Sequence, residues 1–224
     1  MRKLVLLGLV AGAAAVAPAQ IGVRFLGTAY GSPTVTVGAP VNETAYCSVM
    51  DMQFTAGGAG FYALCADLTG VVYGNDSWTS QVQLVTADWG GSALQRAAAV
   101  MVANGMDEGF LGGLATAQNP TNDVDACAAQ LAVWESMNGG ISYTINSSDA
   151  TLVGDIQSQA NAYITAAENY AGNAHTIYYG ESATAPFEQG QMVYDTTGRM
   201  PTPEPFTVGL GIAALGLALR RRLR

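Results

Sequence analysis

Phe61-Tyr62-Ala63-Leu64-Cys65-Ala66-Asp67-Leu68 and Ala129-Gln130-Leu131-Ala132-Val133-Trp134-Glu135 are the stretches on which the fold of this 224-residue chain turns. The first is a short apolar run that ends on a cysteine and an aspartate. Tyr46 to Phe54 precedes it across the Gly-rich loop Thr55 to Gly60, and together they predict a β-hairpin. The second lies between a cap signal, Asn122-Asp123, and a stop signal, Asn138-Gly139-Gly140. It predicts a helix over 124–137, with Gln130 and Trp134 one turn apart on the same face.

Outward from these, Gly22 to Leu26, Thr34 to Val37, Val71 to Tyr73 and Val82 to Val85 read as further strands. Ser92 is an N-cap for a helix over 93–103, and Asn104-Gly105 ends it. A third helix spans about 149–170, with Leu152, Ile156, Ala160, Tyr163 and Ala167 on its apolar face. Two short strands follow, Thr176 to Tyr179 and Gln191 to Tyr194. The expected class is α+β: a single domain over 20–195, β-rich in its first half and helical in its second.

Charge is distributed unevenly. The chain has nine basic and seventeen acidic residues, and six of the nine basic ones sit at the two ends. Gln20 to Pro205 holds Arg24, Arg96 and Arg199 against all seventeen acids, a net of −14 with no lysine. Such a surface repels nucleic acid, so nucleic-acid binding is excluded as a function class.

The ends read as addresses. Met1-Arg2-Lys3, the apolar run Leu4 to Val16 and Ala17-Pro18-Ala19 form a signal peptide over 1–19, cut by signal peptidase after Ala19. At the other end Phe206 to Leu219 is apolar and is followed by Arg220, Arg221, Arg222 and Arg224. As a helix, 206–219 is about 21 Å long, short for a hydrocarbon core of about 30 Å. Snorkelling arginines extend its reach and keep that end cytoplasmic. Pro203, Glu204, Pro205, the apolar helix and the arginine cluster together resemble the PEP-CTERM sorting signal over 203–224. That resemblance implies exosortase as a processing partner. The chain would be anchored in the inner membrane by transmembrane helix 206–219 before processing, and would then pass to the cell surface or an exopolysaccharide or biofilm matrix. A plain tail anchor is the alternative. Residues 196–202 read as a stalk.

The three cysteines, Cys47, Cys65 and Cys127, form no CxxC pair, and the single His175 cannot complete a zinc site with cysteines so scattered. No metal or cofactor is expected. No GxSxG or HExxH motif is present and no carboxylate pair stands out, so turnover as an enzyme is not expected.

The Cys65 and Gln130 stretches, taken in order, resemble the paired signature of bacterial surface thioester domains. The resemblance covers roughly 40–195 and implies a side-chain thioester, with Cys65 as the thiol, Gln130 as the acyl donor and Trp134 as its shield. A thiolate held beside an amide carbonyl displaces ammonia. The acyl group then passes to an amine or hydroxyl on a target. Ala129 stands where that family usually has Thr or Ser. Cys127, at i−3 from Gln130, is a rival thiol with the Cys-x-x-Gln spacing of complement-type proteins. A Cys47–Cys127 disulfide would leave Cys65 free. The remaining alternative is a passive structural or matrix protein of the same fold, with Cys65, Gln130 and Trp134 as core. An absence of lysine would spare a reactive thioester domain from linking to its own copies.

Overall fold

The computed structural model describes residues 19–28, 33–38, 41–55, 58–68, 76–116, 120–172, 176–182, 190–198 and 200. Residues 1–18 of the expected signal peptide (1–19), Val71 to Tyr73, His175, and the expected sorting signal over 203–224 lie outside the described residues. Among the described residues, no helix is long and apolar enough to cross a membrane.

The described residues form nine strands and four helices: β1 (Ala19–Thr28), β2 (Thr34–Val37), β3 (Thr44–Tyr46), β4 (Met50–Phe54), β5 (Gly60–Cys65), β6 (Ser77–Thr86), α1 (Ala93–Ala103), α2 (Glu108–Thr116), α3 (Pro120–Asn138), β7 (Tyr143–Asn146), α4 (Ala150–Glu168), β8 (Thr176–Ser182) and β9 (Gln191–Val193). Six strands close an antiparallel barrel in the order β1-β4-β5-β9-β8-β6. Closure leaves no unpaired sheet edge. A second sheet, β3-β2-β7, is antiparallel throughout. The predicted hairpin is β4–β5, in register from Met50↔Ala63 to Gln53↔Gly60. Phe54 and Phe61 stack next to its connecting loop at 4.7 Å between ring centroids.

The β-rich first half is observed, but the second half is not simply helical. β7, β8 and β9 come from it, and β8 and β9 are needed to close the barrel. β7 and α2 were not expected. α2 carries Gly112-Gly113, weak helix formers that hide the pattern. A Cβ on Gly112 would stand 3.0 Å from the Tyr62 ring, so its bare backbone lets α2 settle on β5.

The helix ends follow local chemistry. Ser92 and Gln95 form a capping box at the start of α1, and Asp149 accepts from the Thr151 and Leu152 amides at the start of α4. α3 starts at Pro120, where a missing N–H costs nothing. It stops where Gly139 and Gly140 take φ of +69° and +94°, which side-chain-bearing residues avoid.

α3 is the centre of the molecule. Every residue from Ala126 to Trp134 is buried, as expected for a helix covered on all sides rather than along one stripe. α1, α2, α4 and β5 surround it. Arg96 of α1 donates to Ser136 O at 3.0 Å, and Asn104 donates to Tyr163 O at 2.9 Å, tying α1 to α3 and to α4.

The C-terminal end of the described fold is pinned. Asp195 accepts from the amides of Thr197, Gly198 and Met200 at 2.6–2.9 Å, and these bonds hold its carboxyl below the usual range despite partial burial. Thr196 donates to Asp107 at 3.0 Å, and Met200 is buried. The described part of the 196–202 stretch therefore packs on the domain.

Ser92→Ala removes the side-chain acceptor of the α1 cap. It is expected to lower stability by about 1 kcal/mol, read as a lower urea midpoint at unchanged m.

Candidate functional site

β5 outruns its neighbour. Its ladder with β4 begins at Met50↔Ala63, so Cys65 extends past the end of that pairing. On the other side Cys65 faces Gln191 of β9, and Ala66 N donates to Gly190 O at 2.8 Å. The N–H and C=O of Cys65 point away from β9, toward the space β4 has left.

Gln130 fills that space. Cys65 N donates to Gln130 Oε1 at 2.9 Å, and Gln130 Nε2 donates to Cys65 O at 2.6 Å. The side-chain amide thus replaces one residue of a missing strand. It is fully buried, and both of its polar ends are paired, as a buried amide requires. The same bonds bring the Gln130 carbonyl to the residue that bears the thiol.

Cys65 is 3% exposed, and its Sγ donates to Asp67 O at 2.8 Å. Burial pushes this thiol up to about 12, while the Asp67 backbone and the Trp134 indole offset part of the rise. Trp134 is buried one turn beyond Gln130. Its Nε1–H makes no well-formed hydrogen bond, so its effect on the Cys65 sulfur is a longer-range one. A neutral thiol, a paired amide and an indole therefore meet out of solvent.

Cys127 lies one turn before Gln130, beside Cys47. Cys47 Sγ donates to Cys127 O at 3.1 Å, and the two side chains also interact. Burial, followed by Cys127, pushes the Cys47 thiol well up. All three cysteines are buried free thiols here. The structure brings Cys65, Gln130 and Trp134 together in one place, and Cys47 and Cys127 in another. Pro203, Glu204, Pro205, Arg220, Arg221, Arg222 and Arg224 lie outside the described residues.

Gln191 was missed. It is 4% exposed and is the cross-strand neighbour of Cys65. A glutamine opening the apolar run Met192-Val193 was the signal that could have found it.

A groove of about 640 Å³ runs beside the N-terminal ends of α3 and α4, lined by Asp123, Asp125, Asp149 and Asp155. Cys65, Gln130 and Trp134 are not part of its lining.

No family model matches the chain, and no curated protein does. Two solved structures are similar to it. One is the N-terminal thioester domain of fibronectin-binding protein SfbI from Streptococcus pyogenes, at 12% identity and a TM-score of 0.47, covering 85% of this chain and 97% of that one. The other is the N-terminal thioester domain of a surface protein from Clostridium perfringens, at 8% identity and a TM-score of 0.44, covering 78% of this chain and 98% of that one.

Two outcomes follow from the geometry. Gln130→Met keeps the volume but strands the Cys65 N–H and C=O. At about 1–3 kcal/mol for each lost partner, it is expected to destabilise the fold by about 2–6 kcal/mol in chemical denaturation. With Cys65 present as a thiol, the folded chain keeps its proton to about pH 12, while the unfolded chain releases it near 8.5. The unfolded state then binds fewer protons across that window, so Cys65 contributes a loss of stability as pH rises from about 8.5 to about 12. Cys65→Ala is expected to show a shallower fall over the same range.

Proposed function

We propose that the chain is an exported bacterial surface protein that captures a target covalently through a Cys65–Gln130 thioester. The observation that carries this reading is the pair of hydrogen bonds between the Gln130 amide and the Cys65 backbone. They hold an acyl group beside a thiol, out of water, with the carbonyl oxygen polarised by the Cys65 N–H. Sulfur attacks the Gln130 carbonyl carbon, the C–N bond breaks, and the amide nitrogen leaves as ammonia with the thiol proton. A target amine or hydroxyl later attacks the same carbon and returns the thiol. Trp134 closes one side of the bond. The engagement of Cys127 with Cys47 favours Cys65 as the thiol.

The reading includes secretion through the 1–19 signal. It also includes inner-membrane anchoring by helix 206–219, exosortase processing near Pro203-Glu204-Pro205, and final residence at the surface or in the matrix. Cys47 Sγ lies 3.1 Å from Cys127 O, an arrangement that suits a Cys47–Cys127 disulfide once the chain is outside the reducing cytoplasm.

One observation favours a second reading. The two bonds of Gln130 would equally suit a residue whose whole task is to finish the end of β5. In that case the protein is a passive matrix component.

Methylamine separates the two. On the thioester reading, methylamine becomes attached to Gln130 and a new thiol appears on Cys65, both mapped by peptide mass, and Cys65→Ala abolishes the attachment. A chain that takes up no methylamine at Gln130 is a passive one. Gln157 is exposed on α4. Gln157→Lys supplies the amine that Gln20 to Pro205 lacks and is expected to give covalently linked oligomers in denaturing gels. Monomers with an intact thioester would contradict the reading given to the missing lysine.

A further inference from the structure

Cys65 and Gln191 form a non-hydrogen-bonded pair of an antiparallel ladder. The flanking bond Ala66 N to Gly190 O is made, while the N–H and C=O of Cys65 go to Gln130 instead of β9. In such pairs the two side chains leave the same face at their closest spacing, with Cα atoms about 4.5 Å apart. The Gln191 side chain therefore stands next to the thiol. Across the next pairing it meets Gly180, whose missing side chain leaves room for the Ser80 hydroxyl and for Gln191 Oε1, 3.7 Å from where a Cβ would stand. Gln191 is 4% exposed, yet its Nε2 has no hydrogen-bond partner among the described residues. The Trp134 Nε1–H is in the same condition on the α3 side. Both buried donors without acceptors belong to residues beside Cys65: Trp134 acts on its sulfur, and Gln191 is its cross-strand neighbour. An orphaned donor is costly in a folded protein unless something fills it at another stage. A neutral thiol or a thioester sulfur is a poor acceptor, and a thiolate is a strong one.

We infer that Gln191 is a catalytic residue of the thioester, its side-chain N–H donating to the Cys65 sulfur as negative charge develops there. This rests on the thioester reading above. When a target amine attacks the acyl carbon of residue 130, the C–N bond forms, the C–S bond breaks and its electron pair goes to sulfur. Gln191, with Trp134 opposite, stabilises that thiolate until it takes the proton lost by the amine. The products are an amide at residue 130 and a thiol at Cys65, with no external reactant. The same donors assist formation, when sulfur must carry charge to attack the amide.

The test compares the full chain with Gln191→Met, which keeps length and loses the donor, and with Gln191→Glu, which places an acceptor beside the sulfur. Opening by methylamine is followed by the appearance of the Cys65 thiol. The pH profile of Cys65 alkylation by iodoacetamide is then taken on the opened chains. Gln191→Met removes an unpaired buried amide, so its thermal midpoint is expected at or above that of the parent. Its opening is expected to be about tenfold to a hundredfold slower. Its alkylation profile is expected to move to higher pH, and Gln191→Glu to be slower still. A residue that only packs would move the midpoint and leave the profile alone. Equal opening rates and an unshifted profile in Gln191→Met overturn the assignment. A parent chain without a thioester overturns the catalytic role together with the reading it rests on. The alkylation profile, which needs only the thiol, still reports whether Gln191 donates to the sulfur.

Discussion

The two hydrogen bonds between the Gln130 side chain and the Cys65 backbone are the constraint on which the rest of the molecule depends. β5 needs a partner beyond the end of β4, and among the described residues an amide carried in from a helix supplies it. For that amide to reach the strand end, α3 must lie against the barrel with its middle turns buried. α1, α2 and α4 accordingly surround α3 and cover what the barrel does not. The large fully buried side chains Trp134, Leu131 and Met101 belong to this layer. A single satisfied polar contact in an apolar interior fixes the register between a helix and a sheet that hydrophobic packing alone would leave loose.

The same contact sets the chemistry. It brings the Gln130 amide to the backbone of a residue whose thiol keeps its proton through burial, so the resting site is neutral. Charge appears only in passing, when sulfur attacks or leaves. On the proposed thioester chemistry, the N–H groups of Trp134 and Gln191, idle in the resting state, acquire a partner at that moment. Ring closure also has a local cost. Once the nitrogen of Gln130 has left, the Cys65 carbonyl oxygen loses its donor. On the thioester reading, the geometry observed is that of the chain before the bond forms.

Much of this was legible in the sequence because the signals are local. Ser92, Asp149 and Gly139-Gly140 mark helix ends by backbone chemistry that acts within a few residues. Thr34 to Val37 alternates as a strand should, and Gln130 and Trp134 lie one turn apart on a buried helix as their spacing implied, whereas the pairing of Gln130 with Cys65 was read from a resemblance. What was not legible depends on partners distant in the chain. α2 is a poor helix by composition, and the space opposite the Tyr62 ring is what accepts its Gly112. β7 is four residues held by Thr34 to Val37, more than a hundred positions away. Barrel closure by β8 and β9 is a property of topology, and Gln191 becomes part of the site only through it.

The central claim is that the Cys65–Gln130 contact matures into a covalent bond. Its most direct measurement is the intact mass of residues 21–200, started at Ile21 because an N-terminal Gln20 loses ammonia by itself. The account predicts a mass about 17 Da below the sequence value, one ammonia for one thioester, apart from about 2 Da if a disulfide is present. A mass equal to the sequence value, with that disulfide allowance, would contradict it and leave Gln130 as the residue that finishes β5.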